Sequence, residues 1–82
     1  MKQELTFALT IAHVSELLYS GNAHSVTVPG SEGELTLLPQ HEPLISALKK
    51  GTITVRDAGE PRTFTIEKGI LETSNGQVTI LV

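Results

Sequence analysis

The chain has no cysteine and no tryptophan, and its 82 residues include only one tyrosine and two phenylalanines. The lack of cysteine rules out disulfides and thiolate metal sites. So few aromatic rings leave no evident stacking platform for sugars or bases. Basic residues are scarce, six Lys and Arg against nine Asp and Glu for a net charge of −3. Phosphate backbones are held by concentrated Lys and Arg, so this balance argues against a nucleic-acid partner. Lys49-Lys50 is an adjacent basic pair, read as solvated loop charge.

Long apolar runs are missing as well. None approaches the ~20 residues needed to span a bilayer. Met1-Lys2-Gln3-Glu4 leads into alternating residues, which does not read as a signal peptide. Any membrane association is therefore expected to run through a protein partner. The length fits one small domain, residues 1–82, without repeats, low-complexity tracts or linkers. A domain of this size buries only roughly 60–65% of the surface its unfolded chain exposes, so the core is modest.

What the chain does have is period-two alternation. Leu5, Phe7, Leu9 and Ile11 alternate with Thr6, Ala8, Thr10 and Ala12. The same holds for Val26 and Val28, Ile53 and Val55, Phe64 and Ile66, and Val78, Ile80 and Val82. Strands place successive side chains on opposite faces, so each segment predicts one buried and one wet face. Turn signals fall at Ser20-Gly21-Asn22, Pro29-Gly30, Gly51, Asp57-Ala58-Gly59, Lys68-Gly69 and Ser74-Asn75-Gly76. Asn75-Gly76 suits a type I′ hairpin joining strands near 70–73 and 77–82. Asp57-Ala58-Gly59 is expected to join 52–56 to 63–66. The fold class expected is all-β, a flattened antiparallel sandwich or barrel of about ten short strands in two sheets. Leu44, Ile45 and Leu48 follow Pro43 at helix-like spacing, which predicts one short helical turn near 43–48.

Residues that could carry chemistry are few. His13, His24 and His41 show no metal-site spacing. Glu32 and Glu34 lie two apart in a turn leading into a strand, an arrangement that puts both on one side, in solvent. A catalytic pair needs environments that drive two pKa values apart, and solvated turn carboxylates lack them. Gly30-Ser31-Glu32-Gly33 has no Lys-Ser/Thr and carries an acid, so it is not a phosphate loop. No catalytic, cofactor-binding or metal site is assigned. Pro39 and Pro43 stiffen the turn around His41. A rigid turn beside Leu44, Ile45 and Leu48 suits the presentation of a shape to another protein.

The stretch from Val26 through Gly51 carries two turns of this kind at fixed separation. With Ser20-Gly21, Lys68-Gly69-Ile70-Leu71-Glu72 and Val78-Thr79-Ile80-Leu81, it resembles the N-terminal β-sandwich domain of the epsilon subunit of F-type ATP synthases, called delta in mitochondria. The resemblance covers essentially the whole chain. It implies two antiparallel sheets of roughly five strands each. It also implies a non-catalytic rotor subunit of a proton-translocating synthase, linking the gamma subunit to the ring of c subunits. Such a subunit lies on the cytoplasmic side of a bacterial membrane, touching the membrane only through the complex. The alternative is a freestanding β-sandwich module that binds a protein or a ligand.

By position, the resemblance assigns Ser31, Glu32, Gly33 and Glu34 to contact with the c-ring loops, Glu34 foremost. It assigns His41, Glu42, Pro43 and Leu44, and also His13, to contact with gamma. Gly30, Gly33, Gly51 and Gly69 are expected to meet backbone requirements. Thr36 and Gln40 stand where the family usually has glycine, so a need for positive φ there would strain the turn. Glu42 stands where a small residue is common, making that surface more acidic. Family members carry a C-terminal pair of helices that inhibits ATP hydrolysis and in some binds ATP. The chain stops where that pair would begin, so neither activity is assigned to these residues.

Overall fold

A computed structural model describes residues 5–40 and 42–82. His41, one of the expected contact residues, lies outside the described residues. Nine strands follow in chain order: β1 Phe7–His13, β2 Glu16–Ala23, β3 Ser25–Gly30, β4 Gly33–Leu37, β5 Leu44–Leu48, β6 Gly51–Arg56, β7 Arg62–Ile66, β8 Gly69–Ser74 and β9 Gln77–Leu81. The hydrogen-bonded path runs β2-β1-β9-β8-β5-β3-β6-β7, with β4 on β3. It is a curled β-sandwich, and the fold class expected from alternation holds.

The curl has a definite corner. β6 pairs with the first half of β3, at Ser25, Val26 and Thr27, while Leu48 of β5 pairs with Gly30 at its end. The segment β5-Lys49-Lys50-β6 thus runs along one edge of β3 and carries the chain from one layer to the other. One layer is β2-β1-β9-β8-β5 and the other is β4-β3-β6-β7. The corner is tight: a Cβ on Gly30 would lie 2.6 Å from the Gly33 carbonyl, and one on Gly51 2.7 Å from Pro29 Cβ. The expected backbone role of both glycines follows from this close approach.

Three features differ from the sequence reading. Residues 44–48 form a strand, not a helical turn. Every residue from Leu44 to Leu48 has a partner on β8, and β3 waits on the other side, so extended pairing satisfies this backbone. Ser20-Gly21-Asn22 is not a turn either, because the three pair in register with Thr10, Leu9 and Ala8. The third is the β1–β9 pair, which is parallel, whereas all other pairs are antiparallel. No hairpin joins β1 to β9, so no tight turn dictates their relative direction.

The core is the inward half of each alternation: Leu9, Ile11, Val26, Val28, Ile53, Val55, Leu71, Val78 and Ile80 are fully buried. Burying each such side chain contributes about 1.5–3 kcal/mol. The expected type I′ turn is present, with φ 52° at Asn75 and 76° at Gly76. A bulge between Ile11 and Ala12 shifts the register, so that Ile11 faces Tyr19 but Ala12 faces Leu17. Leu18 is the extra residue, and its side chain packs half-buried against the core.

Candidate partner-binding surface

The first expected contact segment is the tip of the β3–β4 hairpin. Gly30 pairs with Gly33 across a two-residue loop of Ser31 and Glu32, both exposed. Gly33 takes φ 136°, a conformation glycine adopts without Cβ strain. Glu34 pairs with Pro29 and is exposed, while Leu35 and Leu37 turn inward. Glu32 and Glu34 therefore stand in solvent. The Ser31 amide donates to the Ala47 carbonyl at 2.9 Å, fastening the tip to β5.

The second segment leads into the same strand. Glu42 and Pro43 are exposed, and Leu44, which opens β5, is 37% exposed. Thr73 on β8 is buried, and its hydroxyl donates to the Glu42 carbonyl at 2.9 Å. That bond fixes where the turn delivers Pro43 and Leu44. Ala47, which holds the hairpin tip, is three residues from Leu44, about 10 Å of extended chain. β5 is thus the element that sets the spacing between the two segments.

His13 is placed elsewhere. It ends β1, and the register through Ala12↔Leu81, Ile70↔Leu81 and Ala47↔Ile70 puts it at the Leu48 end of the sheet. That is four residues along β5 from Leu44, about 13 Å. His13 borders a cavity of about 500 Å³ at the mouth of the sandwich, with Val14, Leu18, Ile66, Lys68 and Val82. His13 and the 42–44 turn therefore occupy opposite ends of one sheet.

The outer face of that sheet joins the two ends. Ala47, Ile70, Leu81, Ala12 and Leu17 are successive cross-strand partners on β5, β8, β9, β1 and β2. Ile70, Leu81 and Leu17 are 52%, 56% and 61% exposed, and Ile45, one row over, is 72% exposed. At about 4.8 Å per strand the row is about 19 Å wide. The sequence reading did not single it out, yet it leaves a signal. Leu17-Leu18, Leu44-Ile45, Ile70-Leu71 and Ile80-Leu81 are adjacent apolar pairs, and in a strand one member of each must face outward.

A polar cluster lies where the sheet's two end strands come together. The Tyr19 hydroxyl on β2 has two acceptors for its one proton, Asp57 Oδ2 at 3.1 Å and the Asn22 carbonyl oxygen at 3.2 Å. The Arg62 guanidinium stands 5.1 Å from the Tyr19 ring centre and 5.8 Å from that of Phe64. The two rings meet edge to face at 6.3 Å. Burial, then the bond to Asp57, pushes the Tyr19 phenol above its ordinary range. The Gly59 amide, then Tyr19, holds the Asp57 carboxyl below its ordinary range. Among the described residues no group of three or more His, Cys, Asp or Glu comes together as metal ligands would.

Comparison with known proteins places this geometry. Residues 6–82 match the family described as ATP synthase, Delta/Epsilon chain, beta-sandwich domain. ATP synthase epsilon chain 2 of Burkholderia orbicola is 43% identical over 75 residues, covering 89% of this chain and 49% of that protein. The ATP synthase epsilon chain of Bordetella petrii is 41% identical over 78 residues, covering 93% and 55%. The chain thus spans about half the length of these relatives. A chain of the Euglena gracilis mitochondrial ATP synthase, in the structure of its OSCP/F1/c-ring, shares the fold with a TM-score of 0.89 at 22% identity, over 100% of this chain and 53% of that one. A chain in the central stalk/c-ring structure of the Tetrahymena thermophila mitochondrial ATP synthase gives 0.79 at 18% identity, over 99% and 64%. The match across nearly the whole described chain, with two relatives above 40% identity, shows that this protein belongs to the delta/epsilon family of ATP synthase chains and comprises its β-sandwich domain.

Proposed function

We propose that this chain serves as the sandwich of a central-stalk subunit, binding the gamma subunit and resting on the c-ring. It couples rotation to the catalytic head without making or breaking bonds itself. The observation that carries this reading is the exposed apolar row across the five-stranded layer, extended on the same face of β5 by Ile45 toward residues 42–44. Exposed apolar patches rimmed by polar residues mark protein contacts. The paired, short-looped architecture supplies the stiffness that torque transmission needs.

On this reading Pro43, Leu44 and the outer row form the gamma contact, with Glu42 beside Pro43 and His13 at the far edge; the resemblance in sequence assigns His41 to the same contact. Ser31, Glu32, Gly33 and Glu34 meet the polar loops of the c-ring, and Glu34 pairs with a basic residue there. Membrane association runs through the complex, on the cytoplasmic side in a bacterium. Co-expression with the gamma subunit of the same organism, followed by gel filtration, tests the assignment. A stable one-to-one complex is expected, and separate elution of two folded proteins would overturn it.

A further inference from the structure

The chain has two asparagines, both exposed but in different backbone settings. Asn22 lies within β2, paired with Ala8, and its carbonyl is one of the two acceptors for the Tyr19 hydroxyl. Its successor Ala23 is completely buried. Asn75 sits exposed at the tip of the β8–β9 hairpin with φ 52°. Its successor Gly76 is also exposed, and the space where a side chain would stand is empty to 4 Å. No residue beyond its chain neighbours covers the tip at Gly76.

We propose that Asn75-Gly76 is a site of spontaneous deamidation in the folded protein, passing through a cyclic imide to aspartate and isoaspartate. The Gly76 amide nitrogen attacks Cγ of Asn75, forming an N–Cγ bond as the bond to the side-chain NH2 breaks. The nitrogen's proton leaves with that NH2 as ammonia. Water then opens the ring. Cleavage at Cγ yields aspartate, and cleavage at the main-chain carbonyl yields isoaspartate. One water is consumed and one ammonia released, with no oxidant or enzyme required. A hairpin tip can open locally without disturbing a buried core, which gives the nitrogen its route to Cγ.

The two products differ in effect. Aspartate tolerates the left-handed conformation and adds only a negative charge. Isoaspartate sends the main chain through the former side chain and lengthens it by one carbon. A two-residue loop has no slack for this, so the Ser74↔Gln77 pair and the bond from the Ala8 amide to the Gly76 carbonyl, 3.3 Å, lose their register. Thr73 and Ser74 also line a shallow groove with Pro43 and Leu44, and Thr73 holds the Glu42 carbonyl. The modification therefore reaches the 42–44 turn. That consequence for a partner rests on the reading of the turn given above, whereas the chemistry does not.

The test is incubation of the purified chain in native buffer at mildly alkaline pH, followed by peptide mass mapping. The amide-to-acid mass gain is expected on the peptide carrying Asn75, with isoaspartate detected by enzymatic methyl transfer to its carboxylate. Asn22 is expected to stay intact, and Asn75→Gln to abolish the gain. Asn75 intact in the native chain overturns the proposal, whether or not the same chain in urea converts there. Conversion at Asn22 in preference overturns it too. No binding partner enters the assay, so its result is separable from the stalk assignment.

Discussion

The Tyr19 hydroxyl donates to the Asp57 carboxylate at 3.1 Å across 38 residues of sequence. Tyr19 belongs to β2, one end of the hydrogen-bonded path, and Asp57 begins the loop that leads into β7, the other end. Among the described residues no ladder closes the sheet between these two strands, and side chains fasten it. Tyr19→Phe keeps the ring against Phe64 and removes only the hydroxyl. It is expected to cost about 1 kcal/mol. Tyr19→Ala also leaves a cavity and is expected to cost about 3–5 kcal/mol. Urea unfolding of the three proteins checks the order. An equal loss in both variants would mean that the hydroxyl carries the whole contribution.

The same pair sets a dependence on pH. Asp57 is held below its ordinary range, so its contribution is present above the usual carboxylate value, near 4, and is lost as pH falls through the lowered folded value. Tyr19 is pushed above its ordinary range, so its contribution is present below about pH 10 and is lost as pH rises through the raised folded value. Stability from this contact is therefore flat between the two limbs. Asp57→Asn is expected to shrink the acid limb of the urea midpoint against pH, and Tyr19→Phe the alkaline limb. Limbs unchanged in both variants would assign the pH dependence to other groups.

Gln40 and Thr36 separate two glycine-like positions that look equivalent in sequence. Gln40 takes φ 66°, a conformation that costs a residue with a Cβ about 1–2 kcal/mol. Thr36 sits in β4 opposite Thr27, the two hydroxyl oxygens 3.0 Å apart. Gln40→Gly is expected to stabilise, by up to about 1 kcal/mol once the extra chain entropy of glycine is deducted. Thr36→Gly is expected to destabilise by about 1 kcal/mol through the lost hydrogen bond and strand propensity. Thermal unfolding reads both, and a shared sign would show that one of the two backbone assignments is wrong.

Gly69 makes the same kind of argument through space. A Cβ there would lie 2.6 Å from the Leu81 carbonyl oxygen, a backbone atom that cannot swing aside. Gly69→Ala must separate β8 from β9, and is expected to cost about 1–3 kcal/mol. Unfolding with a cost below a few tenths of a kcal/mol would mean that the strands part more readily than this contact implies.

Much of this was legible beforehand because alternation and turn chemistry are local. Phe7, Leu9 and Ile11 announce a buried face with no knowledge of their partners, and Asn75-Gly76 announces a type I′ turn. What failed depended on partners. Leu44, Ile45 and Leu48 have helical spacing in isolation, but β8 and the end of β3 supply hydrogen bonds that only a strand can accept. Ser20-Gly21-Asn22 has turn composition, yet β1 runs beside it. The expected contact residues could be picked out as segments, but their relative placement could not. Only the register shows that His13 and Leu44 stand at opposite ends of one sheet and that Ile70 and Leu81 lie between.

Those two residues test the proposed partner surface. Ile70 and Leu81 are cross-strand neighbours, each about half exposed, and their side chains stand on the wet face away from the core. Replacing an exposed apolar residue by serine usually changes stability by about 0.5 kcal/mol or less. If the outer row is the seat of the gamma subunit, both side chains become desolvated on binding, and losing both removes more than about 1.4 kcal/mol, a factor of ten in Kd. Ile70→Ser with Leu81→Ser is therefore expected to weaken gamma binding at least about tenfold while the urea midpoint holds. Glu34→Gln, at the hairpin tip, is expected to leave gamma binding unchanged and to weaken attachment to the c-ring in a salt-dependent way. Titration of each variant against isolated gamma and against the c-ring separates the two surfaces. Full-strength gamma binding by the double variant would move the contact off the sheet face and confine it to the 42–44 turn.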